Sequence, residues 1–118
     1  MYTSKFTPDA LVNIKGLPKH IRNAMKKGFE KTVHVDPVAC SEPLTGLLEN
    51  YRSYHFGEYR VIYRVFEDIK AVAVVGVGMK DQSHHAEIYQ KLELLAKTGE
   101  LAATVLDTYR SISAKTQS

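Results

Sequence analysis

The sequence predicts an α+β fold: a small, mostly antiparallel sheet with an N-terminal helical hairpin on one face and an extra C-terminal helix. Three observations predict it. Residues 51–66 read as two β-rich runs joined by Gly57-Glu58, and a two-residue loop with glycine first signals a type II′ hairpin. Residues 71–78 form a third run, Ala-Val-Ala-Val-Val-Gly-Val-Gly, without polar alternation, as expected of a central strand covered on both faces. Strand-like and helix-like stretches are also segregated, in the order β-αα-βββ and then helices, which separates α+β from alternating α/β architectures.

Taken in order, residues 2–6 alternate weakly, as a short strand does. Thr7-Pro8-Asp9 is a helix start, with Thr as N-cap, Pro at the first helical position and an acid in the first turn. Leu11, Val12 and Ile14 give that helix its apolar side, and Gly16 to Pro18 break it. A second helix is predicted from about Pro18 to His34, with Ile21, Ala24, Met25, Gly28, Phe29 and Thr32 on one stripe. Asp36-Pro37 ends it, and a loop is expected through Ser41–Gly46. After the third long strand, Ser83 is a suitable N-cap for a helix carrying Ile88, Leu92 and Leu95. Thr98-Gly99 interrupts. Leu101, Ala102, Val105, Leu106, Tyr109 and Ile112 define one more amphipathic helix, with a frayed tail expected from Ser113.

The chain has 118 residues, the size of one domain. No apolar run approaches the ~20 residues of a membrane span, and residues 1–6 lack the apolar core of a signal peptide. The single cysteine, Cys40, excludes an intrachain disulfide and makes a reducing cytoplasm the expected compartment. Net charge is only +3, but its distribution is uneven. Between Lys15 and His34 there are six Lys or Arg against one acid, Glu30. Such an excess suits a polyanion; a solvated helix face is an equally ordinary reading.

The hairpin fixes which side chains are neighbours. Phe56 lies opposite Tyr59, His55 opposite Arg60 and Tyr54 opposite Val61. Alternation then puts Tyr54, Phe56, Tyr59, Val61, Tyr63 and Val65 on a core face, with Ser53, His55, Arg60, Ile62 and Arg64 on the other. His55 and Arg60 become cross-strand neighbours, with Cβ atoms about 4.5–5.5 Å apart. The neighbouring cation disfavours a second positive charge, so His55 is expected to be neutral and able to accept a proton. Arg60 is expected to point away from the core, and Arg52 to sit on the core side as a rim or partner contact. An ordinary solvated face accounts for the same spacing.

The segment Pro43-Leu44-Thr45-Gly46-Leu47, then Tyr51-Arg52, Gly57-Glu58-Tyr59-Arg60-Val61-Ile62-Tyr63, Val75-Gly76-Val77-Gly78 and Ile88-Tyr89 resembles the RelE/ParE superfamily, the toxins of bacterial type II toxin–antitoxin pairs. The resemblance covers roughly residues 2–95. It implies a toxin domain over 1–97, with 98–118 as a C-terminal helical extension and tail. It also implies a compact sheet with helices on one face and a concave, basic active face on the other. In the RelE branch that face cuts mRNA on the ribosome without metal or cofactor; in the ParE branch a similar fold poisons DNA gyrase and cuts nothing.

Metal-free RNA cleavage needs help in removing the 2′-OH proton, a proton for the departing 5′-oxygen, and cations for the phosphate. The resemblance implies Arg60 as the hairpin arginine, Lys80 as the cation after the last strand and Tyr89 as the aromatic. His55 and Ser53 stand where hairpin lysines usually lie. His84-His85 precede Tyr89, and an imidazole titrating near pH 6.5 suits acid–base work. The expected catalytic set is therefore His55, Arg60, Lys80, His85 and Tyr89. Lys19, Arg22, Lys26, Arg52, Arg64 and His84 are expected to contact RNA. Adjacent histidines diverge on a helix, so no metal is expected. The implied partners are a small cognate antitoxin, the ribosome and mRNA, with no membrane; a homodimer or a toxin–antitoxin hetero-oligomer fits. The alternatives are a gyrase poison that spends no chemistry on this face and a toxin fold that has lost activity.

Overall fold

A computed structural model describes the backbone of residues 1–79 and 84–117, and the side chains of these except 84–86 and 115–117. Five strands and four α-helices follow in the order β1 (Thr3–Phe6), α1 (Pro8–Lys15), α2 (Lys19–Lys31), β2 (Ser41–Pro43), β3 (Arg52–Phe56), β4 (Tyr59–Phe66), β5 (Ala71–Met79), α3 (His84–Thr98) and α4 (Glu100–Gln117). They build one sheet in the order β1-β5-β4-β3-β2. Only β1–β5 is a parallel pair; the others are antiparallel. The fold class is as expected.

Local chemistry accounts for most of the boundaries. Thr7 caps α1, its Oγ1 accepting from the Ala10 N–H at 3.3 Å. Gly57 has φ +56°, which a glycine-first two-residue hairpin requires. The hairpin register is the expected one, with His55 opposite Arg60. Helix α2 stops at Lys31, short of the expected His34: the Thr32 hydroxyl bonds back to the Gly28 carbonyl at 2.7 Å and the chain turns. Helix α4 runs on to Gln117 where a frayed tail was expected from Ser113.

Two features depart from the sequence reading. Ser41–Pro43, expected in a loop, is a short edge strand paired to β3. Arg52 holds it there: the guanidinium donates to Ser41 Oγ at 2.7 Å, the Ser41 carbonyl at 2.9 Å and the Val38 carbonyl at 3.1 Å. Tyr63 anchors the preceding turn by donating to the Pro37 carbonyl at 2.5 Å. The second departure is how far the second core reaches: cover on both faces is expected for β5, and the structure extends it to β4. Ala10, Met25, Phe29, Val33, Tyr54, Val61, Tyr63, Val72, Val74 and Val77 pack on the α1–α2 side. Leu48, Tyr51, Ile62, Val75, Ile88, Leu92, Leu101 and Val105 pack on the other. Ile62, expected on a solvated face, is fully buried there.

A bulge and two glycines make the second core possible. The β4–β5 register shifts between Ile62 and Tyr63, so Val74 and Val77 reach the first core while Val75 reaches the second. Beside Val75, Gly76 and Gly78 lie under Ile88 of α3. A Cβ on Gly78 would stand 3.0 Å from Ile88 Cβ and 3.1 Å from its Cγ2. The missing side chains are what let α3 lie on the strand. Of the amphipathic last helix, Leu101 and Val105 are buried in this core, and Leu106 on its flank is exposed.

Two outcomes follow from this packing. Gly78→Val drives a side chain into the base of the Ile88 side chain rather than into a flexible tip, and should cost about 1–3 kcal/mol, the usual penalty for overpacking. Chemical denaturation measures it, and an unchanged midpoint would mean that α3 does not rest on β5. Tyr63 is fully buried, and burial is the main cause that pushes its phenol well above the ordinary value of 10.0. The folded state therefore holds this proton more tightly than the unfolded chain. Its contribution is fully present below about pH 10 and is lost as pH rises towards the folded-state value. Tyr63→Phe should cost about 1 kcal/mol at neutral pH and flatten the fall in stability above pH 10; an equally steep fall would contradict this.

Candidate active site

The face opposite α1 and α2 is not the open basic surface expected. α3 and α4 cover its centre, which leaves the rim where β2, β3 and the start of β4 meet. Register places four polar side chains there. Glu42 pairs with Ser53 across β2–β3, and His55 pairs with Arg60 across β3–β4. His55 and Glu42 are exposed, and His55 Nε2 lies 3.9 Å from Glu42 Oε2. Ser53 is 2% exposed and its Oγ lies 3.1 Å from the Tyr89 hydroxyl, in a hydrogen bond that either oxygen can donate. A polar cavity of about 230 Å³ opens here, lined by Cys40, Ser41, Glu42, Ser53 and His55.

The sequence-predicted residues divide accordingly. His55 and Tyr89 reach the rim. Arg60 is beside them but is not free: it is 6% exposed, and its Nη1 donates to the Gly57 and Tyr59 carbonyls, both at 2.9 Å. The expectation that Arg60 points away from the core with little packing is corrected: the guanidinium curls back onto its own turn, where carbonyl oxygens accept its charge-assisted hydrogen bonds. The Glu42 carboxylate, opposite in sign to the neighbouring charge expected from Arg60, lies 3.9 Å from His55 Nε2.

Arg52 lies on the core side, as expected, and its donors serve the 38–41 turn. Arg64 is half-buried, its guanidinium 5.2 Å from the Phe66 ring centre and its charge felt by the Tyr51 hydroxyl, which burial raises above its ordinary value. Lys19, Arg22 and Lys26 sit on α2, across the sheet from His55; Arg22 and Lys26 edge a cavity of about 370 Å³ floored by Phe6, Leu11, Met25 and Phe29. Lys80 and the side chains of His84 and His85 lie outside the described residues. Among the described residues, no group of three or more His, Cys, Asp or Glu is arranged to hold a metal ion.

Sequence reasoning missed Glu42. A three-residue edge strand that ends in proline carries no periodic signal, and only the need of β3 for an outer partner points to it. It also read Ser53 as a lost lysine; the structure gives Ser53 a partner in Tyr89. Chemically, a carboxylate beside an imidazole can orient it and favour its protonation during proton abstraction. A phenol linked to a buried hydroxyl is a fixed proton carrier. Both groups sit on one rim, open to solvent on the His55 side.

Residues 5–89 match the family described as the ParE toxin of type II toxin–antitoxin systems. No curated protein sequence matches the chain. Among solved structures, it is similar to the RelBE2 toxin–antitoxin complex of Mycobacterium tuberculosis, at 28% identity and a TM-score of 0.61, over 64% of this chain and 94% of that one. The isolated RelE toxin of E. coli matches at 25% identity and a TM-score of 0.57, over 69% of this chain and 86% of that one. An archaeal RelE–RelB complex from Pyrococcus horikoshii, at 20% identity and a TM-score of 0.53 over 69% of this chain and 97% of that one, shares the fold. Helix α4 lies beyond the matched family segment.

Proposed function

We propose that the chain, which belongs to the ParE toxin family of type II toxin–antitoxin systems, is a toxin that stops translation by cutting mRNA on the ribosome, a reading that rests on its rim and not on the family. The observation that carries this reading is the pairing of Glu42 with His55 beside the Ser53–Tyr89 hydrogen bond. His55 takes the proton of a ribose 2′-OH, and Glu42 holds the imidazole that results. The 2′-oxygen attacks the adjacent phosphorus, a 2′,3′-cyclic phosphate forms and the bond to the 5′-oxygen breaks. Tyr89, steadied by Ser53, returns a proton to that oxygen. Arg60, Lys80 and His85 are the groups that the resemblance adds for phosphate charge and proton transfer. The reaction is complete without a metal ion.

An antitoxin is the natural partner of such a toxin. The 370 Å³ cavity against α2 has the chemistry of a docking groove, with an apolar floor and Arg22 and Lys26 on its edge. An acidic amphipathic segment suits it, by the anchor pattern of helix-in-groove recognition. A second reading, poisoning of DNA gyrase without cleavage, has two observations in its favour: the family model that the chain matches is that of the ParE toxin, and Arg60 Nη1 is committed to the turn and not to an incoming phosphate.

Purified protein added to programmed ribosomes separates the two. The cleaving reading expects mRNA fragments, unimpaired gyrase supercoiling, and a loss of about 10²–10⁴ in cleavage rate for His55→Gln. Intact mRNA together with blocked supercoiling would sink it. Glu42→Gln should lose less than His55→Gln; full activity in that variant would remove Glu42 from the site.

A further inference from the structure

We propose that the cleft between the end of β4 and α4 is a binding site for one nucleotide of single-stranded RNA. The cleft is separate from the rim that carries His55, and half of it comes from α4, outside the matched family segment. Its volume is about 320 Å³, and Arg64, Phe66, Asp68, Leu106 and Tyr109 line it. The proposal deepens the RNA-cleaving reading and rests on it for the identity of the nucleic acid.

The argument starts from the aromatic pair. Phe66 and Tyr109 meet edge to face, with ring centres 4.9 Å apart and planes at 67°. The Tyr109 hydroxyl donates to the Asp68 carboxylate, which fixes the ring. Arg64 stands over Phe66, 5.2 Å from its centre. Leu106 is 46% exposed although it is a large apolar side chain on a helix whose neighbours Leu101 and Val105 are buried. An apolar helix residue left open beside a fixed edge-to-face ring pair and a guanidinium makes an angled apolar cleft with a cation on one side. A nucleobase packs in such a cleft against Leu106 and the ring pair, and its phosphate meets the guanidinium.

Packing of α4 alone leaves part of this unexplained. The Tyr109–Asp68 bond and the Phe66 contact already fasten the helix, so Leu106 could be polar at no cost to the core. A free amphipathic peptide would also touch Leu106, but it has no use for a guanidinium stacked on a ring. Arg64 shares its sheet face and strand with Arg60, four residues away or about 13 Å along β4.

The test uses the full-length protein and a fluorescent 2′-O-methyl oligonucleotide, which cannot be cleaved, so that binding and catalysis are read separately. The wild type should bind it in an anisotropy titration. Leu106→Glu places a carboxylate in the cleft at an exposed position and should weaken binding roughly 5- to 100-fold, the range that loss of one base stack gives. Arg64→Gln should weaken it too. Val12→Glu makes the same charge change at a site 70% exposed on α1 and should leave binding intact. No binding by the wild type, equal affinity for Leu106→Glu, or an equal loss for Val12→Glu would overturn the proposal. Cleft-dependent binding in a protein that never cuts mRNA would uphold the site and refute the cleaving reading.

Discussion

The close approach of α3 to β5 sets the layout of everything on the second face. Ile88 rests on Gly78 and Gly76 with no room for a methyl group between. That contact brings Leu92 down onto Ile62 and Val75, and gives Leu101 and Val105 of α4 a surface to close. It also fixes where Tyr89 falls, one residue past Ile88 and within a hydrogen bond of Ser53. A helix standing further off would leave the whole face open and the phenol without its partner. The functional rim is thus the part of the face that the helix does not reach.

A second constraint comes from the opposite side of the same strands. Arg52 and Tyr63 bind the carbonyls of the 37–41 turn, and so hold three residues against β3 that have little strand propensity of their own. Without them Glu42 would lie in a loop with no fixed relation to His55. Two side chains facing the first core thereby set the geometry of the Glu42–His55 contact on the second face. Ser41 is common to both networks, as it pairs with Tyr54 in the sheet and accepts from Arg52.

Much of the fold was legible because it rests on local chemistry. Glycine first in a two-residue loop sets the register of β3 and β4, and with it the pairing of His55 with Arg60. Thr7-Pro8 starts α1 as its residue types require. What stayed hidden depends on distant parts of the chain. The run Val74-Val75-Gly76-Val77 does not announce its bulge, and nothing near Ile62 announces the α3 cover, so Ile62 reads as a solvated position. Arg60 reads as outward because alternation gives the direction of a Cβ, not the path of a long side chain back to its own turn. Glu42 lies beyond any periodic signal, and Leu106 differs from Leu101 only in which side of α4 meets the sheet.

The proposed function requires a transfer within the RNA at this rim, with the 2′-oxygen as nucleophile and side chains alone moving the protons. Mass spectrometry of the fragment ends after incubation with programmed ribosomes tests it most directly. The mechanism predicts upstream fragments that end in a 2′,3′-cyclic phosphate and downstream fragments that begin with a free 5′-hydroxyl, both lost in His55→Gln. Fragments that carry a 5′-phosphate, or ends unchanged by that substitution, would contradict it.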